Sequence, residues 1–325
     1  MRLGVLSTAT IARVALLPAA ADSDHEVLAI ASRDEDRAAS VAAEFDVPRA
    51  YGSYAELLSD DDLDAVYVPL PNSMHAEWTK RAADAGLDVL CEKPLGVDAA
   101  EAREMADHCE AAGVTLMEAF MYRYHPRTER AVEIVREELG EVRSVSATFQ
   151  FPLRGRPEDI RLNPDLAGGS LMDVGCYAVS AARLFCGEPI AAVASTTDSR
   201  GAGVDTAISG LLEFTDGVTA RVAGGFDTED VQHYRVETTD GVLEAEEPFV
   251  PRGDDGVELT YTVDGRRVTE RFDPTDQYRL ELAAFAEAAE SDTTPRTDGT
   301  EAVRNMAAVD ALYESAERGE RVVVE

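Results

Sequence analysis

Residues 4–12 read GVLSTATIA, within an opening stretch 1–21 of MRLGVLSTATIARVALLPAAA, and their reading decides the fold. An apolar run from Leu3 to Leu6 gives way to small polar residues, and a helical apolar pattern begins at Ile11. Strand, tight turn and helix in quick succession open an α/β unit, in which N–H groups at the helix N-terminus can receive an anion. A dinucleotide turn usually carries glycines as G-x-G-x-x-G. Here Ser7, Ala9 and Ala12 stand at those positions. Small residues serve there if φ stays negative. Alone, the stretch reads as a dinucleotide turn or as a surface turn of another α/β protein.

Outward from that turn, apolar runs at 2–6, 26–31, 65–69, 88–91 and 115–117 alternate with helical patterns at 11–21, 35–45, 75–85 and 99–112. Strands alternating with helices imply βαβ units and a parallel sheet covered on both faces. Gly86 and Gly113 each follow a helix pattern and precede a strand, where glycine caps a helix best. Beyond about residue 120 the texture changes. Helices are predicted near 126–137 and 169–185 and a strand at 142–151. Strand-like segments follow at 190–195, 206–214, 218–224, 233–238, 241–245, 258–263 and 266–272, punctuated by TDG and DG turns. Helices at 277–291 and 299–318 and a short run at 321–324 close the chain. The expectation is an α/β fold: a Rossmann-type domain over 1–121, then an α+β domain over 122–325 with a large, mostly antiparallel open sheet. The C-terminal helices are expected to be able to pack back on the first domain.

Composition narrows the function. The 325 residues carry a formal net charge of −33, with acidic residues spread along the chain in short clusters such as SDDDLD at 59–64. Such a field repels phosphates, which argues against nucleic-acid and anionic-membrane partners. Lys80 and Lys93 are the two lysines, so 28 of the 30 basic residues are arginine. An acidic, lysine-poor surface suits a salt-rich cytoplasm that screens self-repulsion; a merely acidic mesophilic protein is the alternative. Cys91, Cys109, Cys176 and Cys186 form no C-x-x-C pair and no metal-ligand spacing with histidine, so no metal is expected. With no signal-like start and no apolar run of membrane-spanning length, the expected location is cytoplasmic.

Three places carry chemistry. The second strand ends Ser32-Arg33-Asp34, with Arg37 one helical turn later. A hydroxyl beside a guanidinium suits a ribose 2′-phosphate, which favours NADP with NAD as the weaker alternative; the two arginines also read as solvated surface charges. The fourth strand ends Glu92-Lys93-Pro94, at the sheet edge where α/β proteins bind ligands. An ammonium there can polarise a carbonyl or depress the pKa of a phenol. In GGSLMDVGCY, residues 168–177, Asp173 and Tyr177 lie at i and i+4 and share a helix face. The glycine pair at its start allows a ligand or another backbone to come close. Carboxylate, phenol and lysine could form a proton-transfer set; a capping aspartate with a packed tyrosine is the equal alternative.

EKP at 92–94, GGSLMDVGCY at 168–177, PLPNSMH at 69–75 and MEAFMYRYHP at 117–126 resemble the Gfo/Idh/MocA oxidoreductases, the family of glucose–fructose oxidoreductase and inositol dehydrogenase. The last motif and Tyr177 resemble one branch, that of NADP-dependent D-xylose 1-dehydrogenases and dimeric dihydrodiol dehydrogenases. The resemblance implies Lys93 as catalytic lysine, Tyr177 as acid/base with its pKa lowered by Lys93, and Asp173 orienting lysine or sugar. It implies cofactor contacts from Ser7, Thr8, Ala9, Thr10, Ile11, Ser32, Arg33, Arg37, Pro69, Leu70, Asn72, His75, Glu92 and Lys93. Asn72 and His75 would lie near the nicotinamide ribose. Tyr122, Arg123 and His125, with Asp173 and Tyr177, are implied to lie near substrate or cofactor. The implied reaction is oxidation of an aldose at C1 to a lactone. The alternatives are reduction of a keto-sugar, oxidation of a trans-dihydrodiol, or a cofactor-binding regulator without chemistry. The family also implies a homodimer or homotetramer formed through the second-domain sheet.

Overall fold

The N-terminal apolar runs become a parallel sheet whose strands are buried on both faces. The computed structural model describes residues 1–251 and 255–325. Contacts divide the chain into two units, Met1–Met121 with Asp276–Val303, and Tyr122–Thr275 with Arg304–Glu325.

In the first unit, β1 (Arg2–Leu6), β2 (Glu26–Ala31), β3 (Arg49–Tyr51), β4 (Ala65–Val68), β5 (Asp88–Glu92) and β6 (Leu116–Ala119) pair in the order β3-β2-β1-β4-β5-β6. All five pairings are parallel. Leu3, Val5, Ile30, Val66, Val68 and Leu90 have no exposed surface. That is why these strands read as continuous apolar runs rather than alternating ones. Helices α1 (Leu17–Ala21), α2 (Glu35–Glu44), α3 (Tyr54–Leu57), α4 (His75–Asp84) and α5 (Ala99–Ala112) link them. Asp34, Ser53 and Asp98 cap α2, α3 and α5 by accepting backbone N–H groups of the first turn. Gly113 ends α5 at φ 71, in the left-handed conformation expected of it. The chain progresses in opposite directions from β1 and from β4, so the carboxyl ends of these neighbours border a crevice.

Two local expectations change. The helix foreseen over 11–21 starts as a widened π turn, Ala12–Leu16, before α1. Pro18 lies in the first turn of α1 and has no N–H to donate, so the ladder changes pitch just before it. The elements β3 and α3 were not foreseen, because three and four residues carry too little periodicity to register.

The second unit opens with α6 (Pro126–Glu137) and is built on nine strands. These are β7 (Val142–Gln150), β8 (Ala191–Thr197), β9 (Ala207–Glu213), β10 (Thr219–Gly225), β11 (Val231–Thr238), β12 (Gly241–Glu246), β13 (Val257–Val263), β14 (Arg266–Phe272) and β15 (Val322–Val323). Their order is β14-β13-β12-β11-β7-β10-β9-β8-β15, antiparallel throughout except for the parallel pair β7/β10. In β7 the inward residues Val145, Ala147 and Phe149 are buried while Ser144, Ser146 and Thr148 are not. This period-2 alternation marks a sheet covered on one face. The helix α7 (Cys176–Cys186) packs on β7 and β10, preceded by a second π turn, Leu171–Gly175.

Candidate active site

The carboxyl edge of the first sheet collects the residues singled out at the strand ends. After β1, Ser7 turns the chain and its Oγ accepts the Ala9 N–H at 3.0 Å. Ser7 has φ 155, so the expectation that φ stays negative across this turn fails at its first residue. The side-chain bond compensates locally for a conformation that glycine adopts more readily. Thr8 is buried, Ala9 and Ile11 are half-buried, and Thr10 is exposed. Ala12 is fully buried, where a small side chain lets the helix lie close to the sheet.

At the end of β2, Ser32 is buried and its Oγ accepts the Asp34 N–H at 3.2 Å. Arg33 and Arg37 are exposed. Neither guanidinium joins an ion pair among the described residues, although 63 of the chain's residues are acidic.

Beyond β4, Pro69 and Leu70 are buried and Asn72–Met74 form a 3₁₀ turn leading into α4. His75 has no exposed surface. Its Nδ1 lies 2.9 Å from the Pro94 carbonyl and its Nε2 lies 2.8 Å from the Leu70 carbonyl, and burial lowers its pKa. The neutral imidazole can donate to one of these carbonyls and lies against the other, so His75, expected at the cofactor, braces the PLPNSMH segment against the turn after β5.

That turn is held at each residue. Glu92 Oε1 accepts the Tyr67 hydroxyl at 2.6 Å and its Oε2 accepts the Lys93 N–H at 3.3 Å. The Lys93–Pro94 peptide is cis, and Leu95 N–H donates to Glu118 Oε1 at 2.8 Å. Glu118 is buried in β6, with its backbone tied to Thr297 in both directions. The result is a rigid mount for Lys93, which remains half-buried rather than sealed. Glu92, expected at the cofactor, also braces this turn. Glu118 and Tyr67 were missed, although an acid inside the apolar run of MEAF was a visible signal.

In the second unit, Tyr177 lies on α7 in an aromatic cage, 4% exposed. The ring centroids of Phe149 and Phe249 are each 5.4 Å away and that of Tyr122 is 5.9 Å away. Asp173 sits in the π turn preceding α7, and its Oδ2 accepts Arg161 Nε at 2.7 Å. Arg161 also donates to Asp159 at 3.2 Å, and these carboxylates raise its pKa. Arg161 comes from a charged loop with no periodicity, and nothing local singled it out. The glycine pair admits this chain's own groups: a Cβ on Gly168 would sit 2.5 Å from the Arg161 carbonyl, and one on Gly169 2.3 Å from Asp205 Oδ1.

The remaining substrate candidates divide. Tyr122 is fully buried with its hydroxyl 2.7 Å from Ser180 Oγ, and its ring packs beside that of Tyr177. His125 is buried at the N-terminus of α6, where Nδ1 accepts the Arg127 N–H at 3.0 Å. Burial and the Arg127 charge push its imidazole down to about 4. His125, expected near substrate or cofactor, caps α6 through this nitrogen. Arg123 is half-buried on the 3₁₀ turn Met121–Tyr124.

Known proteins match both units. The model of an oxidoreductase family with an NAD-binding Rossmann fold matches residues 1–120, and the GFO/IDH/MocA C-terminal domain matches residues 128–244. A Haloferax volcanii protein named D-xylose 1-dehydrogenase (NADP(+)) 2 is 59% identical over 99% of both chains. A mouse trans-1,2-dihydrobenzene-1,2-diol dehydrogenase is 34% identical over 77% of this chain and 76% of its own. A 3-ketoreductase from Actinomadura kijaniata, solved with NADP and TDP-benzene, superposes with a TM-score of 0.90 at 34% identity over 97% of each chain. No helix among the described residues is long and apolar enough to cross a membrane. By sequence and by structure, the chain belongs to the Gfo/Idh/MocA family of oxidoreductases.

Proposed function

We propose that the protein is an NADP-dependent sugar dehydrogenase that oxidises an aldose, D-xylose or a related pentose or hexose, at C1 to the lactone. The observation that carries this reading is the 59% identity, over 99% of both chains, to the Haloferax D-xylose 1-dehydrogenase. The residues present fit NADP. The turn Ser7–Ile11 lies at the strand-order reversal with small side chains, and two guanidinium groups without acidic partners stand at the tip of β2. Ser7, Thr8, Ala9, Thr10 and Ile11 would hold the pyrophosphate, and Ser32, Arg33 and Arg37 the 2′-phosphate. Pro69, Leu70 and Asn72 would flank the ribose. When bound, NADP supplies the acceptor for the hydride that leaves the sugar C1. Tyr177 takes the proton of the C1 hydroxyl, and the electron pair of that O–H bond forms the lactone carbonyl. Lys93 stabilises the negative charge that develops on oxygen. Asp173, whose carboxylate is held by Arg161, would accept hydrogen bonds from the sugar.

Tyr177→Phe tests the assignment: turnover of D-xylose with NADP should fall by about 100-fold or more while NADP still binds. Near-normal turnover would overturn it. A second reading, an NADPH-dependent keto-sugar reductase using the same residues in reverse, is favoured by the Actinomadura likeness. Assays of aldoses with NADP and keto-sugars with NADPH separate the two. The half-exposed face of the second sheet, with Ser144, Ser146, Thr148 and Ala223, supports a homodimer or homotetramer built through it. The charge of −33 with two lysines supports a cytoplasmic enzyme working in high salt.

A further inference from the structure

We propose that Asp205 is a positioning residue: its carboxylate holds the first turn of the helix that carries Asp173 and Tyr177, and so sets where the Tyr177 hydroxyl stands. The proposal rests on the reading of Tyr177 as the acid/base.

A helix start leaves backbone N–H groups without intrahelical partners. Ser170 occupies the cap position before Leu171 but gives no side-chain cap of its own. The cap comes instead from 34 positions further along the chain, where Asp205 Oδ2 accepts the Leu171 N–H at 2.8 Å. The same oxygen accepts the Ser170 hydroxyl at 2.5 Å, and the Asp205 carbonyl accepts the Ser170 N–H at 2.8 Å. Its other oxygen accepts the Tyr313 hydroxyl at 2.7 Å. Ser170 is fully buried and Asp205 is 8% exposed, so water competes little for these bonds. A negative charge at a helix N-terminus is also favoured by the peptide dipoles.

This anchoring matters because the turn it holds is irregular. Leu171–Gly175 is a π turn, one residue wider than an α turn, and it leads directly into α7. Its far end is seated on β10, where a Cβ on Gly224 would lie 3.0 Å from the Gly175 backbone. Asp205 fixes one end of the turn and the Gly175–Gly224 contact the other. Asp173 and Tyr177 project from the turn and from the first residues beyond it. Without the carboxylate the glycine seat still holds the helix, but its first turn is free to re-wind toward α geometry. That would displace the phenol, and misplacements of about 1 Å cost about 100-fold in rate.

Asp205→Asn keeps the volume but removes the charge at the helix start and one of the two acceptor oxygens. At best its NH₂ turns to the Tyr313 oxygen and a neutral amide oxygen is left for the Ser170 and Leu171 donors, a weaker hold than the carboxylate gives. The test is a cycle of Asp205→Asn, Tyr177→Phe and the double variant, with kcat, the sugar KM and NADPH binding by fluorescence titration. The expected result is a loss of about tenfold or more in kcat for Asp205→Asn. NADPH binding should stay within about twofold, because the residues assigned to the cofactor belong to the other unit. In the Tyr177→Phe background, Asp205→Asn should change the residual turnover by less than about threefold. Unchanged kcat for Asp205→Asn, or an equal loss in both backgrounds, overturns the positioning role alone. Near-normal turnover of Tyr177→Phe overturns the acid/base reading and the positioning role with it. If Asp205→Asn does not fold, Tyr313→Phe, which deletes only the bond to Oδ1, replaces it in the cycle. A kcat loss of about threefold or more that vanishes with Tyr177→Phe supports the proposal, and any other result overturns it.

Discussion

Replacing His125 by asparagine should flatten the acid limb of this protein's stability curve. His125 Nδ1 accepts the Arg127 N–H that begins α6, and a nitrogen acting as acceptor cannot carry a proton. Burial and the neighbouring Arg127 charge push the imidazole from 6.5 down to about 4. Between these values the unfolded chain binds the proton and the folded chain does not. Stability is therefore fully present above pH 6.5 and is lost as pH falls toward 4. Each tenfold change in proton affinity is worth about 1.4 kcal/mol, so the displacement sets an upper limit of about 3 kcal/mol. The interval from pH 7 to pH 4.5 stops short of the folded-state value and so captures only part of this, about 2 kcal/mol. Asparagine does not titrate, and its carbonyl oxygen caps helices well, so His125→Asn should stay within about 1 kcal/mol of the parent at pH 7. Urea unfolding in constant molar KCl at pH 7 and pH 4.5 measures both proteins. Protonation of surface carboxylates is common to the two and cancels in the difference. The variant should lose about 2 kcal/mol less than the parent over that interval. Parallel losses would show that the imidazole titrates normally, and the buried-cap reasoning would be wrong.

Arg33→Ala should weaken NADP by about tenfold or more, the worth of a hydrogen bond to a charged phosphate, and leave NAD within about twofold; equal weakening would remove the 2′-phosphate argument. The net charge of −33 predicts an unfolding midpoint that rises steeply between dilute buffer and molar KCl as self-repulsion is screened. Full folding without salt would sink the high-salt reading.

The fold was legible because its signals are local. Buried parallel strands write themselves as unbroken apolar runs, and the one-sided second sheet as alternation broken by TDG and DG turns. Lys93 was legible because lysine is scarce here and because it follows a strand at the ligand-binding edge. Tyr177 was legible only as an i, i+4 partner of Asp173, which left a packed tyrosine equally open. For His75 and His125 the sequence suggested chemistry because a histidine in a motif looks chemical; it could not show the structural task each also has, against carbonyls or at a helix start. Ser7 misled differently. Its size predicted a tolerable turn, but φ is set by the path the chain must take from β1 to its helix, and that path requires 155°.

By itself the sequence determined the α/β class, pointed to the strand ends as the place to look for chemistry, and showed a charge of −33 that repels polyanions. Tertiary structure decided what holds those chemical groups in place. Glu118 reaches Leu95 across 23 positions, Asp205 reaches Leu171 across 34, and Arg161 reaches Asp173 across 12. Bonds of that span leave no periodicity in the sequence, because helix and strand patterns record which face of an element is buried. They do not record which distant polar group meets it.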